Sequence, residues 1–386
     1  MQWIIDTGNH AAAIATKLAR VQVISAYPIT PQTSVVELLS EFIEKGDLDA
    51  RFIQVESEHS ALAAIIGASL MGTRVFTATS SHGLALMHEM LHWASGSRTP
   101  IVMAVVNRAI GPPWSIWPDH MDTVAQRDTG WIQFYVKSNQ EVFDSIIQAY
   151  RIAEDRRVSL PSMICFEGFS ISHTSAPFKI PEQGDIDDFL PSYRGGIELD
   201  FENPVTFGNM TFPEHFDQFR VDISEGMDKA RNVIKEVSID YSKQFGVNHG
   251  DLIEKSSTED TDIYIVAMGA VASEAFEAVK RLREEGEKVG GLRVRVFRPF
   301  PAKELSNEIR EAEAAVVLDR SISPGSLPPL YSEVRSTLYS LDIPVYGVIL
   351  GIGGRDVTFR SIKKIYRRSL SLLKRNVRED LIWYRN

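Results

Sequence analysis

Residues 21–66, VQVISAYPITPQTSVVELLSEFIEKGDLDARFIQVESEHSALAAII, decide the fold of this chain. The stretch contains one pattern twice: a short apolar strand, a polar loop, and a helix with apolar residues at helical spacing. Open α/β sheets bind ligands at the carboxyl ends of their strands, so the two polar loops are predicted to carry the chemistry. The predicted strands are residues 21–24 and 52–55, and the loops are residues 27–31 and 56–59.

The same alternation continues through the first 171 residues. Short apolar runs predict buried strands, and apolar residues at helical spacing predict the helices between them. Because helices connect the strands, the sheet is predicted to be parallel with right-handed crossovers. The further predicted elements are helices at 9–18, at 84–94 (opened by Gly83) and at 140–154, and strands at 74–79, 101–106 and 162–166.

The pattern changes at residue 172. Residues 172–219 are rich in Pro, Gly, Asp and aromatic side chains without a period, which predicts an ordered arm packed against another domain or subunit. A helix at 223–245 follows, and after a polar break the strand and helix alternation resumes. The predicted domains are residues 1–171, an arm with its connecting helix at 172–255, and a second α/β domain at 256–386.

Composition narrows the class of protein. The chain has 386 residues, which suggests at least two domains, and its 44% hydrophobic and 24% charged residues are typical of a soluble globular protein. The net charge of −10 argues against nucleic acid as the main partner, because phosphate binding needs a basic surface. No apolar run is long enough for a membrane span and no signal-peptide pattern is seen, so a cytoplasmic protein without membrane partners is predicted.

The single cysteine, Cys165, lies in an apolar run and is predicted to be a buried strand residue rather than a reactive thiol. One cysteine cannot hold an iron–sulfur cluster, which needs several thiolates. Electron transfer through such clusters would therefore require another chain.

Several sequence blocks, taken in order, resemble one family. They are YPITPQT, VESEHSA, the segment from GASLMG to PIVM, NRAIGPP, IWPDHMD, RDTGWIQFY, NQE and SHT, followed near the C-terminus by RVFRPFPAKEL and GIGGRDVTF. In this order they resemble the alpha subunit of the 2-oxoacid:ferredoxin oxidoreductases, the pyruvate enzyme and its relatives. The resemblance implies an α/β fold, with a thiamine-diphosphate-binding parallel-sheet domain of the pyrimidine type followed by an α/β domain like the transketolase C-terminal domain.

The resemblance implies that Glu58, in the ESEH block, is the carboxyl group that hydrogen-bonds the aminopyrimidine ring of thiamine diphosphate. On position alone, Glu58 would be an acidic residue in the first turn of a helix, stabilised by the helix dipole. Glu56 fits that structural alternative better. The resemblance therefore decides the prediction for Glu58.

The resemblance also implies a substrate site. Thr30 and Arg108 match the family positions that bind the 2-oxoacid carboxylate and carbonyl, and arginine suits a carboxylate because its donors lie in a fixed plane. Ile116 matches a wall of the pocket near the substrate side chain, and Pro28 is predicted to contact the cofactor together with Thr30. Without the resemblance, Arg108 would be a surface ion pair and Thr30 a helix cap.

Two features leave alternatives open. His82 stands where glutamine is expected in relatives, so it could tune proton transfer or be a neutral exchange. Residues 88–92, HEMLH, match the H-E-x-x-H pattern of zinc peptidases, in which two histidines one helical turn apart bind the metal. No clear third ligand segment follows, so the zinc peptidase is a remote alternative.

The sequence lacks a G-D-G block with a downstream Asn, the pattern expected to hold Mg2+ and the diphosphate. Half of the cofactor site, with Mg2+ and the iron–sulfur clusters, is therefore predicted on beta, gamma and delta type partner subunits. The implied reaction is oxidative decarboxylation of pyruvate to acetyl-CoA, or its reverse, with ferredoxin as the electron carrier. A branched-chain 2-oxoacid, 2-oxoisovalerate, is the near alternative, and a non-catalytic scaffold subunit is a further one.

Overall fold

The computed structural model describes residues 1–193, 195, 201–257 and 259–385. The elements of the first part are β1 (Gln2–Asp6), α1 (Gly8–Leu18), β2 (Val23–Ser25), α2 (Thr33–Glu44), β3 (Arg51–Ile53), α3 (Glu58–Leu70), β4 (Val75–Thr79), α4 (Ser81–Leu86), α5 (His88–Gly96), β5 (Val102–Asn107), α6 (Met121–Val124), β6 (Ile132–Tyr135), α7 (Asn139–Ala153), β7 (Ser162–Glu167), β8 (Ala176–Ile180), α8 (Gln183–Phe189) and α9 (Pro213–Phe245). The later elements are β9 (Ile253–Ser256), β10 (Ile263–Met268), α10 (Val271–Glu284), β11 (Val289–Val294), β12 (Val296–Arg298), α11 (Ala302–Ile309), β13 (Ala314–Asp319), α12 (Pro329–Leu338), β14 (Val345–Ile349), α13 (Phe359–Lys374) and β15 (Glu379–Trp383).

Two large sheets organise the described part of the chain. The first has the strand order β12-β6-β7-β5-β4-β2-β3 and the second has the order β15-β14-β13-β10-β11-β9. Within them only β12 and β9 run antiparallel to their neighbours. Strands β4, β5 and β7 are buried along their whole length, as expected for central strands of a helix-covered parallel sheet. The predicted α/β fold class is confirmed.

The connection after β4 differs from the prediction. Instead of one helix at 84–94 opened by Gly83, α4 begins at Ser81 and α5 begins after Met87. Ser81 has a φ of 47°, in the left-handed region that a non-glycine residue rarely adopts. The strand therefore turns sharply into the helix, and His82 and Gly83 lie in its first turn, just after the end of β4.

The arm predicted at 172–219 is partly regular. β8 pairs antiparallel with β1, an N-terminal strand that the sequence pattern did not predict, and α8 buries Phe189 in the core of the first domain. The long helix α9 begins at Pro213, ten residues before the predicted start. Residues 194 and 196–200 of the predicted arm lie outside the described residues.

One strand crosses the division predicted at residue 256. β12 follows β11 after a single residue, Arg295, yet it pairs with β6 in the first sheet. The short elements α11 and β15 were not predicted either. The domain division itself stays a prediction, to which the structure adds that residues 296–298 belong to the first sheet.

A buried ion cluster lies where the chain passes between the sheets. Glu141 of α7 accepts hydrogen bonds from Arg293 Nη1 at 2.7 Å, Arg293 Nη2 at 2.8 Å and Arg295 Nε at 2.9 Å, and all three side chains are fully buried. The Lys137 amide also donates to Glu141, at 3.0 Å. Because α7 covers the first sheet and Arg293 belongs to the second, the cluster joins the two domains.

The helices of the described residues include none that is both long and apolar enough to cross a membrane.

Candidate active site

The loops with polar chemistry lie at one edge of the first sheet. β2, β4 and β5 are parallel neighbours, so the loops that follow them start at the same edge. The loop after β3 joins them because β3 pairs in parallel with β2. This is the edge at which open α/β sheets bind ligands.

Glu58 is the first residue of α3 and is 7% exposed. The preceding residue, Ser57, caps the helix by accepting a hydrogen bond from the Ser60 amide at 3.3 Å. Within the described residues, the Glu58 carboxylate makes no hydrogen bond, although the residue as a whole is buried. Glu56 is exposed and bonds the hydroxyl of Ser60, so it behaves as an ordinary polar residue of the first helical turn.

Gly83 lies against the Glu58 carboxylate. A Cβ atom at this glycine would stand 2.5 Å from Glu58 Oε1 and 2.5 Å from Thr79 Oγ1. The Thr79 hydroxyl is buried and has no hydrogen-bond partner among the described residues. Two polar side chains with unused hydrogen-bonding capacity therefore face one small space that exists because residue 83 has no side chain.

We expect Gly83→Ala to lower kcat of the assembled complex about a hundredfold in the reaction that the resemblance implies. The protein should stay folded, because the new methyl group only displaces the Glu58 carboxylate. The matched control is Gly67→Ala in α3, where an added Cβ would meet nothing within 4 Å. Steady-state turnover and thermal melting of both variants test this. Unchanged turnover of the Gly83 variant would contradict the placement of Glu58.

Arg108 follows β5 and is 3% exposed. Its Nη1 donates to the Thr30 carbonyl oxygen at 2.8 Å and its Nε to the Ser115 carbonyl oxygen at 3.2 Å. Burial lowers the pKa of the guanidinium from its ordinary value, which the charge of Asp122 partly offsets. Arg108 and Thr30 are thus brought together, through the backbone oxygen of Thr30.

Thr30 does not cap a helix: the residue before α2 is Gln32, and its side chain makes no capping hydrogen bond. Thr30 and Pro28 are both exposed. The structural alternative for Thr30 is therefore wrong, while its substrate role stays a prediction.

The loop that follows Arg108 exposes bulky apolar side chains at the same edge. Trp114 is 78% exposed and its ring lies 5.1 Å from the Arg108 guanidinium carbon and 5.4 Å from the His82 ring. Ile116 is 42% exposed. His82 Nε2 lies 3.2 Å from the Gly111 amide nitrogen and 3.3 Å from the Gly111 carbonyl oxygen, a contact that holds this loop against α4.

The two histidines of HEMLH contact protein groups in an arrangement that differs from that of zinc ligands. His88 Nδ1 lies 2.5 Å from Gln126 Oε1, and the rings of His88 and His92 meet edge to face at 5.1 Å. Glu89 lies 3.6 Å from His59 Nε2. Residues 1–193, 195, 201–257 and 259–385 contain no group of three or more His, Cys, Asp or Glu side chains that could hold a metal ion.

A buried acidic residue that the sequence interpretation did not assign lies behind the site. Asp122 is fully buried and accepts hydrogen bonds from the amides of Ser81 (3.2 Å), Arg108 (3.0 Å) and Thr123 (2.8 Å) and from Asn107 Nδ2 (2.8 Å). Burial raises its pKa to about 6, despite these donors. The only sequence signal was its place in the block IWPDHMD.

The glycine-rich turn GIGGRD of the second domain contacts the same region. The Gly353 amide donates to Asp119 Oδ2 at 3.1 Å, and the Gly354 amide donates to the Pro118 carbonyl oxygen at 2.8 Å. The helix that follows this turn, α13, is capped by Thr358, whose hydroxyl accepts from the Ser361 amide at 3.2 Å.

Buried charges reinforce this contact between the domains. Arg320, which follows β13, pairs with Glu167 at the end of β7, and His120 Nε2 lies 3.2 Å from the same carboxylate. Burial alone would raise the pKa of Glu167, but the charge of Arg320 and the hydrogen bond with His120 lower it to about 2. The second domain therefore supports the loop that contains Asp119 and Asp122.

Two family comparisons match successive parts of the chain. Residues 14–238 match the family described as pyruvate flavodoxin/ferredoxin oxidoreductase, thiamine diphosphate-binding, and residues 261–362 match pyruvate:ferredoxin oxidoreductase core domain II. Pyruvate synthase subunit PorA of Methanothermobacter thermautotrophicus is 47% identical over 95% of this chain and 94% of its own. Ketoisovalerate oxidoreductase subunit VorA of Pyrococcus horikoshii is 46% identical over 98% of this chain and 97% of its own.

Solved structures share the fold. A 2-oxoglutarate:ferredoxin oxidoreductase from Magnetococcus marinus, with 2-oxoglutarate, coenzyme A and succinyl-CoA bound, has a TM-score of 0.74 at 20% identity over 95% of this chain. This chain spans 65% of that protein's length. A split-gene transketolase, an inactive beta4 tetramer, has a TM-score of 0.56 at 15% identity and is covered over 99% of its length. At these identities the likeness shows the fold alone.

The fold and the first family match define a thiamine-diphosphate-binding α/β protein. The chain belongs to the pyruvate flavodoxin/ferredoxin oxidoreductase family, as its resemblance implied.

Proposed function

We propose that this chain is the alpha subunit of a multi-subunit 2-oxoacid:ferredoxin oxidoreductase. The complex converts pyruvate and CoA to acetyl-CoA and CO2, with ferredoxin accepting two electrons, or runs this reaction in reverse. One observation carries the proposal: the buried carboxyl group of Glu58 and the buried guanidinium of Arg108 follow strands of one sheet at the same edge. Such a pair suits a cofactor and an acidic substrate that react together. The cytoplasmic location stays a prediction from the sequence.

The residues around Glu58 fit one side of thiamine diphosphate. The Thr79 hydroxyl is buried without a hydrogen-bond partner among the described residues, and Gly83 leaves room between it and the Glu58 carboxylate. Glu58 would hold the aminopyrimidine ring by a hydrogen bond at this edge, with Thr79, Pro28 and Thr30 nearby. When bound, the cofactor supplies the carbon nucleophile and electron sink that decarboxylation of a 2-oxoacid requires.

Arg108 would bind the substrate carboxylate. Its Nε and Nη1 hold the Ser115 and Thr30 carbonyl oxygens, which leaves Nη2 as a donor for a ligand. Thr30 would contribute its exposed hydroxyl group to the 2-oxoacid. Ile116, exposed on the adjoining loop, would contact the substrate side chain.

We expect Arg108→Lys to raise the KM for the 2-oxoacid about 10- to 100-fold, because lysine cannot hold both carbonyl oxygens and a carboxylate with one planar group. Initial rates over a range of pyruvate concentrations test this in the assembled complex. The control is Arg98→Lys, since Arg98 precedes β5 and so lies at the opposite edge of the sheet. An unchanged KM in the Arg108 variant would remove the residue from the substrate site.

Partner subunits complete the proposed enzyme. Two relatives carry the word subunit in their names. The chain has one cysteine, so we place the iron–sulfur clusters on beta, gamma and delta type subunits. Because the sequence lacks a G-D-G block with a downstream Asn, we place Mg2+ and the diphosphate half of the cofactor site on these subunits as well. An exposed apolar surface supports this: Phe201, Met210 and Phe212 are 87%, 95% and 71% exposed, which is unusual for residues that no other chain covers.

The second candidate substrate is 2-oxoisovalerate, because the VorA relative is about as similar to this chain as the PorA relative. The deciding experiment purifies the chain with its native partners and measures ferredoxin reduction with CoA and pyruvate, 2-oxoisovalerate or 2-oxoglutarate. The highest kcat/KM identifies the substrate. A complete, cofactor-loaded complex that turns over none of the three would overturn the proposed function.

A further inference from the structure

Asp122 connects the two halves of the site just described. Its Oδ2 atom accepts from the Ser81 amide at 3.2 Å and from the Arg108 amide at 3.0 Å. Ser81 follows β4 and lies two residues before Gly83, which lies against Glu58, whereas Arg108 follows β5. One carboxylate oxygen therefore connects the ends of the strands that carry the cofactor side and the substrate side.

The other carboxylate oxygen of Asp122, Oδ1, is held by two further hydrogen bonds. Oδ1 accepts from Asn107 Nδ2 and from the Thr123 amide, both at 2.8 Å. The Thr123 hydroxyl accepts in turn from Asn107 Nδ2 at 2.9 Å and from Tyr135 Oη at 2.8 Å. In the described part of the chain, every hydrogen bond to Asp122 comes from an N–H donor, so both carboxylate oxygens must be acceptors.

The Ser81 backbone needs this support. Its φ of 47° is unfavourable for a residue with a side chain, and such conformations persist only where surrounding contacts hold them. The amide of Ser81 is held by Asp122, and its hydroxyl donates to the Ala109 carbonyl oxygen at 2.7 Å. Both contacts tie the turn after β4 to the segment after β5.

We infer that Asp122 is a positioning residue that sets the placement of Gly83 and Glu58 relative to Arg108. The inference rests on the proposed function, because it assigns Asp122 to a site whose reaction is itself proposed. Asp122 does not reach the substrate. It acts through two backbone amides, one on each side of the site.

Asp122→Asn is the direct test. An asparagine has a single acceptor oxygen, so in either orientation its NH2 group faces two N–H donors. In the assembled complex we expect kcat to fall and the KM for pyruvate to rise, together lowering kcat/KM about a hundredfold. The thermal shift on adding pyruvate without CoA should shrink as well, which reports binding independently of turnover.

A second substitution separates positioning from a general structural role. Glycine adopts a positive φ without support, so Ser81→Gly in the Asp122→Asn background should restore kcat at least threefold and leave the KM raised. The rise in KM persists because the Arg108 amide remains unsupported. If the Asp122 variant does not assemble, Asn107→Ser tests the same inference by removing only one donor, with a KM rise of several-fold expected.

The control is Asp144→Asn, a buried carboxyl group of α7 that bonds Tyr241 and His249 away from the strand ends. It should reduce thermal stability and leave the KM for pyruvate unchanged. Wild-type values of kcat and KM in the Asp122→Asn complex would overturn the inference, as would a loss that Ser81→Gly fails to relieve. Absence of turnover in the wild-type complex would instead refute the proposed function, so the two failures are distinguishable.

Discussion

Glu58→Gln is expected to lower kcat of the assembled complex by about 10²- to 10⁴-fold, the range typical of a lost acid–base group. Glutamine has nearly the same shape as glutamate, so it should fit the space between α3 and Gly83 without a change in packing. It cannot exchange a proton with the cofactor ring. The KM for pyruvate should change little, because Arg108 binds the carboxylate.

The matched control is Glu56→Gln, two residues away on the same loop. Glu56 is exposed and, among the residues that the structure describes, bonds only the neighbouring hydroxyl groups of Ser57 and Ser60, so turnover should remain within about twofold of wild type. Size-exclusion chromatography must show that both variants assemble. A Glu58 variant that assembles and retains full activity would favour the alternative of a scaffold subunit without a catalytic group.

The parallel strands were predictable because their composition reports their environment. β4, β5 and β7 fall within one residue of their predicted limits. These strands lie inside a sheet that helices cover on both faces, so nearly every residue must be apolar. The composition of a central parallel strand thus depends little on which strand lies beside it.

The elements that sequence reasoning missed depend on distant partners. β12 belongs to the first sheet because its residues pair with β6, more than 150 positions earlier in the chain. Locally, residues 289–296 look like one strand of the second domain. The start of α4 at Ser81 depends on Asp122 and Ala109, which hold the serine in its left-handed conformation. Neither contact can be recognised from the residues next to Ser81 in the sequence.

The residues of the candidate site also divide into those that the sequence indicated and one that depends on distant contacts. Glu58 and Arg108 were proposed from family blocks, whereas local reasoning alone favoured a helix-end acid and a surface arginine. The structure buries both side chains, which local reasoning did not predict. Asp122 was missed because its significance lies in the amides of Ser81 and Arg108, and backbone donors are invisible in a sequence.

Glu141→Gln is expected to reduce the free energy of unfolding by about 3–5 kcal/mol, the usual cost of removing one partner from a buried ion pair. The substitution leaves Arg293 and Arg295 charged and buried without the carboxylate between them. Because Arg293 lies on the second sheet and Glu141 on the first domain, contact between the domains should also weaken. Urea denaturation of the isolated chain measures the loss.

The same cluster predicts a pH dependence with a definite sign. Burial alone would raise the pKa of Glu141, but the charge and hydrogen bonds of Arg293, with the further charge of Arg295, hold it well below its ordinary value. A carboxyl group with a lowered folded pKa stabilises the protein above its unfolded pKa of about 4.3, and this contribution declines as the pH falls further. The difference between wild type and Glu141→Gln should therefore be constant at neutral pH and shrink below about pH 4.3. Glu236→Gln, which removes an exposed partner of Arg157, should cost less than about 1 kcal/mol at every pH. An equal cost for both variants would mean that the buried cluster does not hold the domains together.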